Sequence, residues 1–256
     1  MLSSEQILQE KEYCIPYKYL VTKEKLIAFP QKLFVSTDYI LCQEHIISFL
    51  QPFNKQLVLD AGCGDGRLCH ALKDKNLTVF GFDYSEQAIN FAKIYNPGID
   101  FQQGDLTKKL PYEDNFFDYV ILVEVIEHIQ PDLLKETVLE LKRILKESGR
   151  LIITVPHKNK KLAKKHFQHF DTKSLTEILT PSFKIKEIQG FHKADVLLNA
   201  LFRLIVLIYY YIYPLQKTIL AFLVSNTSLL GYAFFKKFLL NCPPDKGLNL
   251  ICLAEK

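Results

Sequence analysis

The apolar run Leu57–Ala61 gives way at once to three glycines in five positions, Gly62, Gly64 and Gly66, and then to an amphipathic stretch. A strand that turns into a helix through glycines leaves backbone N–H groups uncovered at its carboxyl end, so a ligand that side chains would exclude can approach. In open α/β sheets, ligands bind in the crevice where strand order reverses. The expected fold is therefore a doubly wound, mostly parallel α/β sheet. The rest of the pattern agrees, because short apolar runs alternate with amphipathic ones. Strands are expected at Leu57–Ala61, Val79–Asp83, Asp100–Gln103, Asp118–Val123 and Arg150–Val155. Helices fit Gly66–Lys73, Ser85–Tyr95 (capped by Ser85) and Asp132–Lys146 (stopped by Gly149). Further on come a helix at Thr172–Leu179 and strands at Phe183–Gln189 and Gly247–Ala254.

Around this core, residues 1–50 read as an N-terminal helical cap, with helical spacing of Ile40, Leu41, Ile46, Ile47 and Leu50. Residues 51–193 and 247–256 form the ligand-binding domain, and 194–246 an apolar helical insertion between the last two strands. A chain of 256 residues with 48% hydrophobic content can bury such a core. A net charge of +4 does not mark a nucleic-acid binder. The six cysteines form no Cys-x-x-Cys pair, and the first residues lack a basic, apolar leader; a cytoplasmic protein is expected.

The glycine turn departs from the dinucleotide fingerprint Gly-x-Gly-x-x-Gly, because Gly66 comes one residue early and Arg67 takes its place. Asp83, about 20 residues after the turn, ends the second strand where a carboxylate can accept hydrogen bonds from ribose hydroxyls. Asp105, in Gln-Gly-Asp-Leu, can reach the exocyclic amine of an adenine beside Leu106.

The blocks LVLDAGCGDG, VFGFDYSEQAI, QQGDL, LPYEDNFFDYVILVEVIEHI and LKESGRLIITVP, in that order, resemble class I S-adenosylmethionine-dependent methyltransferases, with a likeness to ubiquinone-pathway O-methyltransferases. The resemblance implies a seven-stranded Rossmann-like sheet with an antiparallel last strand. S-adenosylmethionine is the cofactor it implies, and S-adenosylhomocysteine the product. Asp60 and Gly62–Gly66 would surround the methionine part, Asp83 the ribose, Tyr84 the adenine face, Asp105 and Leu106 the base pocket, and Glu124 would lie near the amino group.

A hydroxyl acceptor must lose its proton, and His128, just past the fourth strand, is the expected general base. Glu124, Glu127 and His128 can also converge on a divalent ion with His157, His166 or His169, a set that resembles the metal site of small-RNA 2′-O-methyltransferases. His169 is the later histidine carried forward in that set, and the sequence does not favour a metal. Five lysines in His157–His166 border the site and would attract an anionic group.

The block Ala194–Leu240 is apolar, but its uncharged run between Arg203 and Lys217 is too short for a spanning helix, which needs about 20 residues. Ser225–Ser228 interrupts the next run. The expectation is a peripheral dock on the cytoplasmic face of a membrane, serving a small-molecule or lipid-linked acceptor, with nucleic acid not an expected partner. The expected function is O-methylation of that acceptor; the rivals are an RNA 2′-O-methyltransferase and a non-catalytic membrane-binding subunit.

Overall fold

The computed structural model describes residues 42–50, 55–193 and 241–256, with the single positions Ile7 and Leu204. The rest of the expected cap and of the block 194–240 lies outside the described residues. Within them, residues 42–49 form helix α1. The chain continues through β1 (Leu57–Ala61), α2 (Arg67–Leu72), β2 (Thr78–Asp83), α3 (Glu86–Tyr95), β3 (Asp100–Gln103) and β4 (Phe117–Val123). A 3-10 turn at Ile126–His128 leads to α4 (Leu134–Ile144), β5 (Leu145–Pro156), α5 (Thr172–Leu179), β6 (Lys184–Lys193), β7 (Asn241–Cys242) and β8 (Gly247–Glu255).

The strands join in one sheet, in the order β3-β2-β1-β4-β5-β8-β6-β7. β1 to β5 are parallel, while β8 lies antiparallel to both β5 and β6. Seven strands match the expected sheet, and the two-residue β7 adds an eighth at the edge. The order reverses between β1 and β4, which opens the ligand crevice at their carboxyl ends.

Alternation along the strands builds two apolar layers. Leu59, Val120, Leu122, Leu151 and Ile153 face α4 and α5, contributing to a core with Val138, Leu141, Leu175 and Leu179. Val58, Val79, Ile121, Ile152 and Ile251 face the other way, in one cluster with Ile46 of α1, Leu72 of α2 and Ala92 of α3.

Two boundaries differ from the sequence expectation. Helix α4 ends at Ile144 instead of reaching Lys146, because the amides of Asn115 and Phe116 donate to the carbonyls of Arg143 and Ile144 (2.9 and 2.8 Å). Leu145 then pairs with Phe117 and is fully buried, so β5 starts five residues earlier than expected, with a bulge opposite Phe117–Tyr119. Gly149 falls inside the β5 range and does not stop the helix. At the sheet's far side, β6 runs on to Lys193 because β8 pairs with it along that length.

Candidate active site

Gly62, Gly64 and Gly66 take φ values of +87°, +54° and +79°, a left-handed backbone in which side chains are strained. At Gly62 space is also closed: a Cβ there would collide with Cγ2 of Val125. The glycine turn is thus seated against the turn after β4, where Glu124 itself holds φ +56°. The Gly62 and Cys63 amides donate to the Phe82 carbonyl (2.7 and 3.1 Å), tying the turn to the end of β2.

Asp83 sits where that tie is made. The Gly64 amide donates to its Oδ2 (2.8 Å) and the Ser85 amide to its Oδ1 (2.9 Å), while Ser85 Oγ caps α3 through the Ala88 amide (3.0 Å). These two bonds fix the buried carboxylate at the carboxyl end of β2, beside the glycine turn. Turn and carboxylate together fit a nucleoside cofactor at the sheet's reversal point. Tyr84 follows, partly exposed. Asp60 is buried, and the Cys69 thiol donates to its Oδ2 (3.4 Å).

Asp105 is exposed, and its Oδ1 accepts from both the amide and the hydroxyl of Thr107 (2.9 and 2.8 Å), so the side chain shapes the turn after β3. Leu106 is buried in the core with Phe82.

Glu124 is held from two strands. Asn249 Nδ2 of β8 donates to its Oε1 at 3.0 Å, Thr154 Oγ1 of β5 at 3.4 Å, and its amide donates to the Thr154 carbonyl at 3.1 Å. Burial raises the Glu124 carboxyl above the usual range, opposed by Lys160, Asn249 and Thr154. Sequence reading missed Asn249 and Thr154: only strand pairing brings position 249 to 124, and neither residue carries a motif.

Beside it, the structure brings together Glu127, His128 and His166, with one potential ligand atom from each within 4.8 Å of the others. Glu127 is fully buried; burial, then the nearby Glu124, push its carboxyl well above the ordinary range. His128 Nδ1 contacts the Lys165 carbonyl (2.9 Å), and its Nε2 lies 4.0 Å from Glu127 Oε1. His166 packs edge-on against His128, ring centroids 4.6 Å apart, and burial lowers it to about 3. His169 stands behind His166 with a nitrogen contact of 2.9 Å, and His157 Nδ1 accepts from the Asn159 amide. Glu124 and His169 are therefore not in the three-residue group, and His166 is.

Comparison with known proteins bears on the fold and the family. A family model described as a methyltransferase domain matches residues 59–153. A probable S-adenosylmethionine-dependent methyltransferase of Mycolicibacterium smegmatis is 30% identical over 148 residues, 54% of this chain and 56% of that protein. An uncharacterized protein of Methanocaldococcus jannaschii is 32% identical over 168 residues, 62% of this chain and 67% of that one. The match thus spans little more than half of the first relative. An Archaeoglobus fulgidus S-adenosylmethionine-dependent methyltransferase superposes with a TM-score of 0.60 at 17% identity, over 88% of this chain and 97% of that one, which shows the shared fold. Residues 59–153 thus form a methyltransferase domain, S-adenosylmethionine-dependent methyltransferases stand among the chain's relatives, and its sheet has the fold of the class I enzymes.

Proposed function

We propose that the protein methylates an oxygen on a lipid or lipid-linked small molecule at a membrane surface. One observation carries the acceptor class. β6 is antiparallel to β8, which is antiparallel to β5, so Lys193 ends β6 on the same sheet edge as the glycine turn and Glu124. Asn241 pairs with Phe191 on that edge. The apolar block 194–240 therefore departs from and rejoins the sheet at the catalytic edge, next to the lysines of 158–165.

When bound, S-adenosylmethionine supplies an electrophilic methyl group, so the protein's work is alignment and exclusion of water. Asp83 would hold the ribose hydroxyls and the Gly62–Gly66 turn the methionine part. The group of Glu127, His128 and His166 lies just past the carboxyl end of β4 and would relieve a hydroxyl of its proton. An RNA acceptor would draw on the same lysines, but Lys158 is engaged by Asp171 at 2.7 Å, and a ribose has no use for an apolar cover. The intact cradle at Asp83 argues against a non-catalytic subunit.

Labelled methyl transfer to fractionated extracts tests this reading. Label entering the lipid-soluble fraction, released by chemistry that cleaves methyl ethers or esters, is expected. Label confined to RNA or to water-soluble metabolites would refute the acceptor class.

A further inference from the structure

The hydrogen bonds around the three-residue group fix which nitrogen of each ring carries a proton. A backbone carbonyl only accepts, so His128 Nδ1 must be the donor to the Lys165 carbonyl, which puts the ring's lone pair on Nε2. His169 Nδ1 likewise donates to the Lys160 carbonyl (3.2 Å), leaving Nε2 as its acceptor. That acceptor takes the proton of His166 Nδ1 at 2.9 Å, so the His166 lone pair also falls on Nε2. Glu127, His128 and His166 each bring one potential ligand atom within 4.8 Å of the others.

Nothing between them satisfies the carboxylate. Glu127 is fully buried, and among the described residues neither Oε1 nor Oε2 has a hydrogen-bond partner. The 4.0 Å from Glu127 Oε1 to His128 Nε2 is too long for a shared proton. A buried acceptor left unsatisfied costs about 1–3 kcal/mol, and more when charged. Glu124 faces Glu127 from the preceding turn, with Lys160 and Lys165 facing it from the loop. None of these supplies the missing donor.

We propose that Glu127, His128 and His166 bind one divalent ion of the zinc class, with His169 as a positioning residue. Three protein ligands of the type His-His-Glu with further positions open are the arrangement of reactive, not structural, zinc sites. Rings whose second N–H is anchored on a carbonyl or another acceptor are the usual outer shell of such sites. This set differs from the one the sequence pattern implied, because Asn249 and Thr154 engage Glu124 and His169 serves His166. The inference stands without the methyl-transfer reading; where both hold, the ion rather than His128 eases proton loss from an acceptor oxygen.

The test uses the full chain, freed of any histidine tag, stripped with chelator and titrated with Co²⁺ under visible absorption, with Zn²⁺ as competitor. One equivalent of Co²⁺ displaced by Zn²⁺ is expected. Glu127→Gln and His166→Gln should abolish the cobalt band. His169→Phe should weaken binding about 10–100-fold, and His192→Asn, at a histidine outside the group, should match wild type. Circular dichroism reports whether each variant folds; should Glu127→Gln not fold, wild-type stoichiometry and the His169→Phe shift still decide. Absence of Co²⁺ and Zn²⁺ binding by wild type, or undiminished affinity in folded His166→Gln, would overturn the site whatever the activity.

Discussion

In the proposed cofactor site Asp83 would do two jobs with one carboxylate, and a substitution tests the second. It holds the Gly64 and Ser85 amides and would hold the ribose hydroxyls. Asp83→Asn keeps an oxygen for one amide but loses the charge, so cofactor affinity should fall by about 1.5–3 kcal/mol, the scale of charge-assisted hydrogen bonds. Calorimetry with S-adenosylmethionine measures it; unchanged affinity would take Asp83 out of the cofactor site. His128→Ala should instead lower turnover by about 10²–10⁴-fold while shifting cofactor affinity little, because its proposed work, as base or as ligand to an ion, is on the acceptor. Steady-state kinetics beside calorimetry distinguish the two. What the sequence made legible at this scale was local. The glycines and Asp83 are tied by strand-end hydrogen bonds whose spacing is written in the chain. The choice of His166 over His169 was not legible, since both lie on one loop three residues apart, and only their contacts sort them: His169 binds the Lys160 carbonyl and His166, while His166 packs on His128. Asn249 was out of reach for the same reason: its partner is 125 positions away.

At the scale of elements, β1, β2, β4 and the core of β5 were legible because each is a short apolar run with turn residues beyond it. Boundaries failed where tertiary pairing overrode local pattern. The amphipathic period of α4 continues past Ile144, yet Leu145 gains more by pairing with Phe117 in the sheet. β6 shows the same override, since its polar last turns carry no strand pattern and are ordered by β8. That extension has a consequence in acid. His192, near the end of β6, holds φ +64°, and burial, then Lys160, lower its imidazole to about 4. Its folded pKa lies below the ordinary value near 6.5, so the unfolded chain takes up a proton that the folded chain refuses. Stability is therefore full above about pH 6.5 and declines as pH falls toward about 4. His45, His157 and His169 shift in the same direction through burial and steepen the decline. His192→Asn, which tolerates the left-handed backbone, should flatten part of it. Urea unfolding at pH 7.5, 6 and 5 measures the slope. Equal slopes in variant and wild type would show that His192 does not titrate on unfolding.

For the whole molecule, the question is how the described sheet relates to the apolar block it carries. β6 and β7 are already antiparallel neighbours through Phe191 and Asn241, so the block is an insertion at the tip of a hairpin whose remaining residues are His192 and Lys193. Short hairpins close readily over two to five residues when glycine or asparagine supplies positive φ, and His192 already adopts it. Replacing 194–240 with a Gly-Ser-Gly bridge should therefore leave the sheet, the glycine turn and Asp83 in place. The shortened protein should bind S-adenosylmethionine within about 0.6 kcal/mol of wild type, about threefold in Kd. On the proposed reading wild type methylates a lipid-soluble acceptor and floats with anionic vesicles, and the shortened protein should do neither, because it lacks the apolar contact proposed to supplement the lysines. The design separates the two layers of the functional reading. Loss of cofactor binding would mean that the block supports the cradle itself, while retained lipid methylation and flotation would move the acceptor site away from this edge.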